Sequence, residues 1–124
     1  MRARRTRRGG NAIEFGLLFP LLFALMTGIM DLGYLEMVRF VADSAAREGA
    51  RIGSMTGDNA LASDAALTEW EGFSLPTDAP TIVAYQTGDP LVEVVRVQVD
   101  LTMLVGFVLG PQTVEVVATR RVES

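Results

Sequence analysis

Among fifteen acidic residues, Glu14 is the carboxylate whose setting could do chemistry. Five arginines lie before it (Arg2, Arg4, Arg5, Arg7, Arg8), then the pair Gly9-Gly10, and sixteen uncharged residues follow, Phe15 to Met30. A carboxylate at the edge of an apolar helix is costly unless it reaches lipid headgroups or finds a cationic partner. Two readings therefore stand on residue type alone: an interfacial glutamate beside an arginine cluster, and a charge held for a partner.

Other chemistry is poorly served. The chain has no cysteine, no histidine and no lysine, so thiol nucleophiles, imidazole bases, Schiff-base lysines and the usual zinc ligands are missing together. Ser44, Ser54, Ser63, Ser74 and Ser124 have no base to activate them. Glu69 and Glu71, two apart on an expected helix, point in different directions. Asp58, Asp64 and Asp78 lack the spacing of a calcium loop. These residues predict a protein that is not an enzyme and needs no cofactor or metal.

The elements around Glu14 give it a topology. Phe15 to Met30 spans roughly 24 Å as a helix, and continuing to Leu35 gives about 31 Å, enough to cross a hydrocarbon core. Asp31 would then lie near the far interface. Residues 1–10 hold five arginines and no acid, whereas residues 11–124 hold six arginines against fifteen acids, a net of −9. A basic arm can mark nucleic-acid binding, but one that runs straight into an apolar helix is better read as topogenic, with Arg4, Arg5, Arg7 and Arg8 keeping the N-terminus cytoplasmic. No small-x-small site follows the run closely, which favours a retained anchor over a cleaved signal peptide. Pro20 predicts a kink or local unwinding. Gly16, Gly28 and Gly33 are small enough for another helix to approach.

Beyond the anchor, Val38, Val41, Ala42, Ala45, Ala46, Gly49, Ala50 and Gly53 recur at three- and four-residue spacing. Glu36/Arg39, Asp43/Arg47 and Glu48/Arg51 line the opposite, wet side. The pattern predicts one long helix over about residues 12–54. Gly57-Asp58-Asn59 breaks it and caps a second helix over 60–71, in which Leu61, Ala65, Leu67 and Trp70 are apolar and Gly72 is a stop. Trp70 and Phe73 are expected in the core or just beneath the surface. Pro76 and Pro80 mark a linker. Three strands follow: 81–87, closed by the turn Gly88-Asp89-Pro90; 95–103, with a possible bulge at Val94-Val95; and 113–122. Residues 105–110 form an apolar loop, suited either to packing under the sheet or to subunit contact. The fold class is α+β: a long N-terminal helix, half membrane and half amphipathic, packed on a small antiparallel sheet.

RRGGNAIEFGLLFPLLFALMTGIMDLGYL followed by AAREGARIGS resembles the TadE-like family, minor pseudopilins of the tight-adherence (Tad) pilus machinery. That family opens RRG-x-x-A-x-E-F, carries a proline in its apolar run, and continues into an A-A-R-E-G-A-R-like stretch. The closing VEVVATRRVES is similar to the family's last strand, while residues 55–90 carry no family signal.

The resemblance implies a type IV pilin-like precursor, cut by a prepilin peptidase at Gly9 or Gly10. That cut would leave Glu14 fifth or fourth in the mature chain, to neutralise a neighbouring subunit's new α-amine during assembly. It implies as partners the major Flp pilin, other minor pilins and inner-membrane pilus assembly proteins, with no nucleic acid. The organisation expected is a cytoplasmic leader (1–10), a transmembrane pilin-like helix (11–35) and an extracytoplasmic α+β body (36–124), single-pass in the cytoplasmic membrane and available for incorporation into a pilus. The rival, of a different class, is a membrane-anchored extracytoplasmic binding module that never enters a pilus.

Overall fold

The computed structural model describes residues 8–102 and 110–123, with side chains from Gly10 onward. Helix α1, Arg8–Thr56, is 49 residues long and so about 74 Å from end to end. It passes through Pro20 without interruption. Its C-terminus is set by Gly57, which takes φ +68° and donates its N–H to Gly53 O at 2.8 Å, the left-handed closure that suits a residue without Cβ. Asp58 then caps α2, Asn59–Gly72, accepting from the Ala60 N–H at 2.8 Å. The cap reverses the chain, and α2 runs back along α1.

Strands β1 (Thr81–Thr87), β2 (Val92–Leu101) and β3 (Gln112–Arg121) form an antiparallel sheet in the order β1-β2-β3. β2 begins three residues earlier than its alternation suggested. The expected bulge at Val94-Val95 is absent: Tyr85 pairs with Val94 and Ala84 with Val95 in unbroken register, and both valines are buried, one on each face of the sheet. Two adjacent apolar residues therefore marked consecutive positions of a regular strand, not an inserted residue. The apolar loop 105–110 lies outside the described residues except for Gly110, which is exposed.

Both helices lie on one face of the sheet, α1 over β2 and β3 and α2 over β1. Val38, Val41, Ala42, Ala45, Ala46 and Ala50 of α1 meet Ala62, Ala66 and Trp70 of α2 and Val95, Val97, Val99 and Leu101 of β2. Gly49 marks the closest approach, since a Cβ there would come within 2.8 Å of Ala62 O, 3.0 Å of Ala66 Cβ and 3.2 Å of Val95 Cγ1. The contacts also fix direction. Gly49 lies by Val95, Gly53 lies by Glu93, and Ser54 O accepts from the Glu123 N–H at 3.0 Å. α1 is thus antiparallel to β2 and parallel to β3, and the strands share the axis of the long helix.

On α2 the small residues turn inward, and Leu61 and Leu67 are left exposed. Phe73 also remains 41% exposed, edge-on to the exposed Phe40 with ring centroids 6.5 Å apart. Asp31, expected near the far end of the span, is fully buried against the protein, on a face that runs Thr27, Asp31, Leu35, Val38 at helical spacing. Coverage of α1 therefore starts near Thr27 on that face, while Ile29, Met30 and Leu32 on its other sides stay open.

Candidate functional site

The N-terminal half of α1 projects from the body with its apolar side chains uncovered. Ile13, Phe15, Leu17, Leu18, Phe19, Leu21, Leu22, Phe23, Leu25 and Met26 are all more than half exposed, reaching 75% at Leu17. Water does not tolerate an apolar surface on every side of a helix, whereas lipid does. Among the described residues this is the one helix long and apolar enough to cross a membrane, and it suggests a single-pass anchor. Phe15, Phe19 and Phe23, at i, i+4 spacing, form a ladder with successive centroids 6.3 and 6.4 Å apart. The sequence contains that stripe plainly, but it is lost within a run where every residue is apolar.

Arg8 and Gly9 open α1, and Gly10 and Glu14 lie in its first turns, both exposed. Arg4, Arg5 and Arg7 lie outside the described residues. Glu14 has no ion pair among the described residues. Gly10, Gly16 and Gly33 have open space where a Cβ would be, so a second helix could close on them. Glycine pair, glutamate and proline are thus brought onto one uninterrupted helix, with Gly10, Glu14 and Pro20 exposed.

The body holds its charges differently. The three ion pairs expected on α1 all form: Glu36–Arg39 at 2.8 Å, Asp43–Arg47 at 2.8 Å and Glu48–Arg51 at 2.6 Å. Arg51 grips Glu48 with both Nε and Nη2, and these hydrogen bonds hold the Glu48 carboxyl below its usual range. Glu69, singled out only as half of a poor carboxylate pair, accepts from Ser44 Oγ at 2.8 Å and ties α2 to α1.

Glu93 was missed altogether. It is fully buried on the helix side of β2, its carboxyl lies over Gly53, and neither oxygen has a hydrogen-bond partner. Gln86, directly opposite on β1, has a buried and unpartnered Nε2. The available signal was parity, because Glu93 shares the phase of Val95, Val97 and Val99.

The described residues also form two shallow hollows. One, of about 240 Å³, is lined by Tyr34, Asp78, Asp100 and Thr102; the other, of about 270 Å³, lies between Asp43 and Arg47 of α1 and Val117–Thr119 of β3. Among the described residues no three His, Cys, Asp or Glu side chains converge as metal ligands.

The projecting helix and its passage into the small-residue face are where the chain meets a known family. A model described as TadE-like protein matches residues 9–51. Residues 9–51 are similar to that family. The match begins at the glycine pair and ends two residues before Gly53, so it takes in Glu14, Pro20, the apolar run and most of the α1 packing face. A TadE-like segment suggests a protein associated with the Tad pilus, and the family is a structural one. No curated protein and no solved structure matches the chain.

Proposed function

We propose that this chain is a minor pilin or pseudopilin that helps assemble or secrete a Flp-type adhesion pilus and is a substrate of a prepilin peptidase. One observation carries the reading: within the TadE-like match, Gly9, Gly10 and Glu14 lie at the head of a helix that projects bare from its body. A cut after Gly9 or Gly10 frees an α-amine with Glu14 fifth or fourth from the new terminus. In a poorly hydrated bundle, that ammonium and a neighbour's carboxylate relieve each other's desolvation.

On this reading the arginines of residues 1–10 hold the leader in the cytoplasm, residues 11–35 cross the membrane, and residues 36–124 stand outside it. Pro20 supplies a soft point where the helix can bend when it leaves lipid for a filament. The partners are the peptidase, the major Flp pilin, other minor pilins and the inner-membrane assembly proteins.

Mass spectrometry of the membrane-extracted chain, produced with and without a prepilin peptidase, tests this. Loss of the first nine or ten residues only in the peptidase's presence is the expected result. An intact N-terminus in both samples would overturn it and favour an anchored binding module. Glu14→Ala should insert normally and reduce piliation; full piliation would return Glu14 to an interfacial role.

A further inference from the structure

The bare surface of α1 does not stop where the apolar span does. Met26, Met30, Gly33, Met37 and Phe40 follow one another at three- and four-residue steps, and all are exposed. One apolar stripe therefore runs from inside the span to five residues beyond Leu35. At its end Phe40 meets the edge of Phe73, which closes the C-terminus of α2. Met37, Phe40 and Phe73 are 49%, 67% and 41% exposed and make an uncovered corner where α2 ends against α1. Scattered exposed apolar residues are ordinary, but a patch continuous with a lipid-facing surface marks a contact.

The charges around this corner do not oppose such a contact. Glu36 and Arg39 border the stripe on the side away from α2 and neutralise each other at 2.8 Å. Glu69 is taken up by Ser44 Oγ. Glu71, two residues further on, points to the other side of α2.

Height decides what the corner meets. Phe40 lies about 7.5 Å beyond Leu35 along the helix axis, and the headgroup layer adds roughly 5–7 Å beyond the hydrocarbon. A tilt of about 20°, ordinary for a membrane helix, lowers a side chain roughly 7–10 Å from the axis by about 3 Å. Tilt toward α2 therefore brings Phe40 and Phe73 into the headgroup layer, and tilt the other way lifts them into water. The apolar stripe lies on the α2 side, so burying it favours the first. The body's own position agrees: Thr27 and Asp31 lie within the span yet are buried on one face, so folded protein begins before the span ends.

We propose that the corner formed by Met37, Phe40 and Phe73 is seated in the headgroup layer of the bilayer that holds the anchor. The chain then leans toward α2, and its body rests on the lipid surface instead of standing clear of it. Because α2 covers β1 and α1 covers β3, the lean brings the β1 edge of the sheet toward the membrane and turns the β3 edge away. The inference rests on single-pass anchoring, and holds whether or not the leader is cleaved.

The absence of cysteine makes the test direct. Full-length Phe19→Cys, Phe40→Cys, Phe73→Cys and Arg47→Cys chains each carry one environment-sensitive fluorophore and are reconstituted in phosphatidylcholine vesicles. Quenching by a nitroxide on the lipid headgroup is compared with quenching by iodide present on both sides. At Phe40 and Phe73 the lipid nitroxide should quench more than iodide, with blue-shifted emission. Arg47, seven residues further along the same side of α1, should show the reverse order, because it differs from Phe40 in height alone. Iodide dominance at Phe40 or Phe73, with Phe19 shielded from iodide, would overturn the proposal and leave the anchor standing. Iodide dominance at Phe19 would remove both. Shielding of Phe40 and Phe73 from both quenchers would mean that protein covers the corner, which also overturns it. Far-UV circular dichroism identifies any variant that fails to fold; Met37→Cys then takes its place, with the same outcomes.

Discussion

The two halves of α1 use apolar residues in opposite ways. From Ile13 to Met26 the helix carries Leu, Phe and Met on all sides, exposed, and its one glycine, Gly16, looks into open space. From Val38 to Gly53 it carries Val, Ala and Gly on one face, buried, and its glycines are pressed against other backbone or side chains. Large side chains suit a fluid partner that conforms to any shape. Small ones suit a fixed partner, where what matters is how near two backbones can come. A single helix thus records two different solvents.

The contrast is sharpest at aromatic residues. Trp70→Ala empties the centre of the α1–α2–β2 core and should destabilise the body by about 3–5 kcal/mol in chemical denaturation followed by circular dichroism. Phe19→Ala, on an exposed ring, should leave that transition unmoved and weaken only retention in membranes. Equal effects on folding would erase the distinction between the halves.

Glycines come next. A side chain at Gly49 meets Ala62 O, a backbone atom that cannot swing aside, so Gly49→Leu should cost about 2–3 kcal/mol. Gly16→Leu meets nothing within the chain and should fall within about 0.5 kcal/mol of the parent. If Gly16→Leu instead lowers piliation, the open space is filled by another helix in the assembled state.

Carboxylates follow. Glu93 buries both oxygens without a partner, so Glu93→Met, of similar length, should stabilise the body by about 1–3 kcal/mol, read as a raised midpoint. Loss of stability would mean that the carboxyl is satisfied by a group brought from outside the chain.

The smallest expected effect is at Glu48. Its folded pKa is depressed by the Arg51 hydrogen bonds, so its contribution is complete above the unfolded value and fades as pH falls through the folded one. Glu48→Gln should therefore flatten the acid limb of a stability–pH curve below about pH 4.5, and leave neutral stability nearly unchanged because the pair is exposed. An unaltered acid limb would show that the bond does not persist in solution.

Periodicity made most of the fold legible. The eight small residues at three- and four-spacing did become the buried face of α1, and the alternation through Val95, Val97 and Val99 did become the inner face of β2. The three charge pairs formed where i, i+3 and i, i+4 spacing put them. Of the candidate site, residue type and spacing gave the order glycine pair, glutamate, apolar run and proline, and the fold places these on one bare helix. Where reading by residue type failed, neighbours decided. Leu61 and Leu67 lost the interior of α2 to Ala62 and Ala66 because α1 lies too near for larger side chains.

The sequence by itself therefore determined the anchor, its basic flank, the helix and strand phases, and the absence of cysteine, histidine and lysine, because each is a matter of residue type and local period. Only the tertiary structure decided which neighbours those phases meet. It laid α1 along the strands, buried Asp31 and Glu93, and left Leu67 outside. Those outcomes depend on distances between residues far apart in the chain, and a local pattern specifies which way a side chain points but not what stands opposite it.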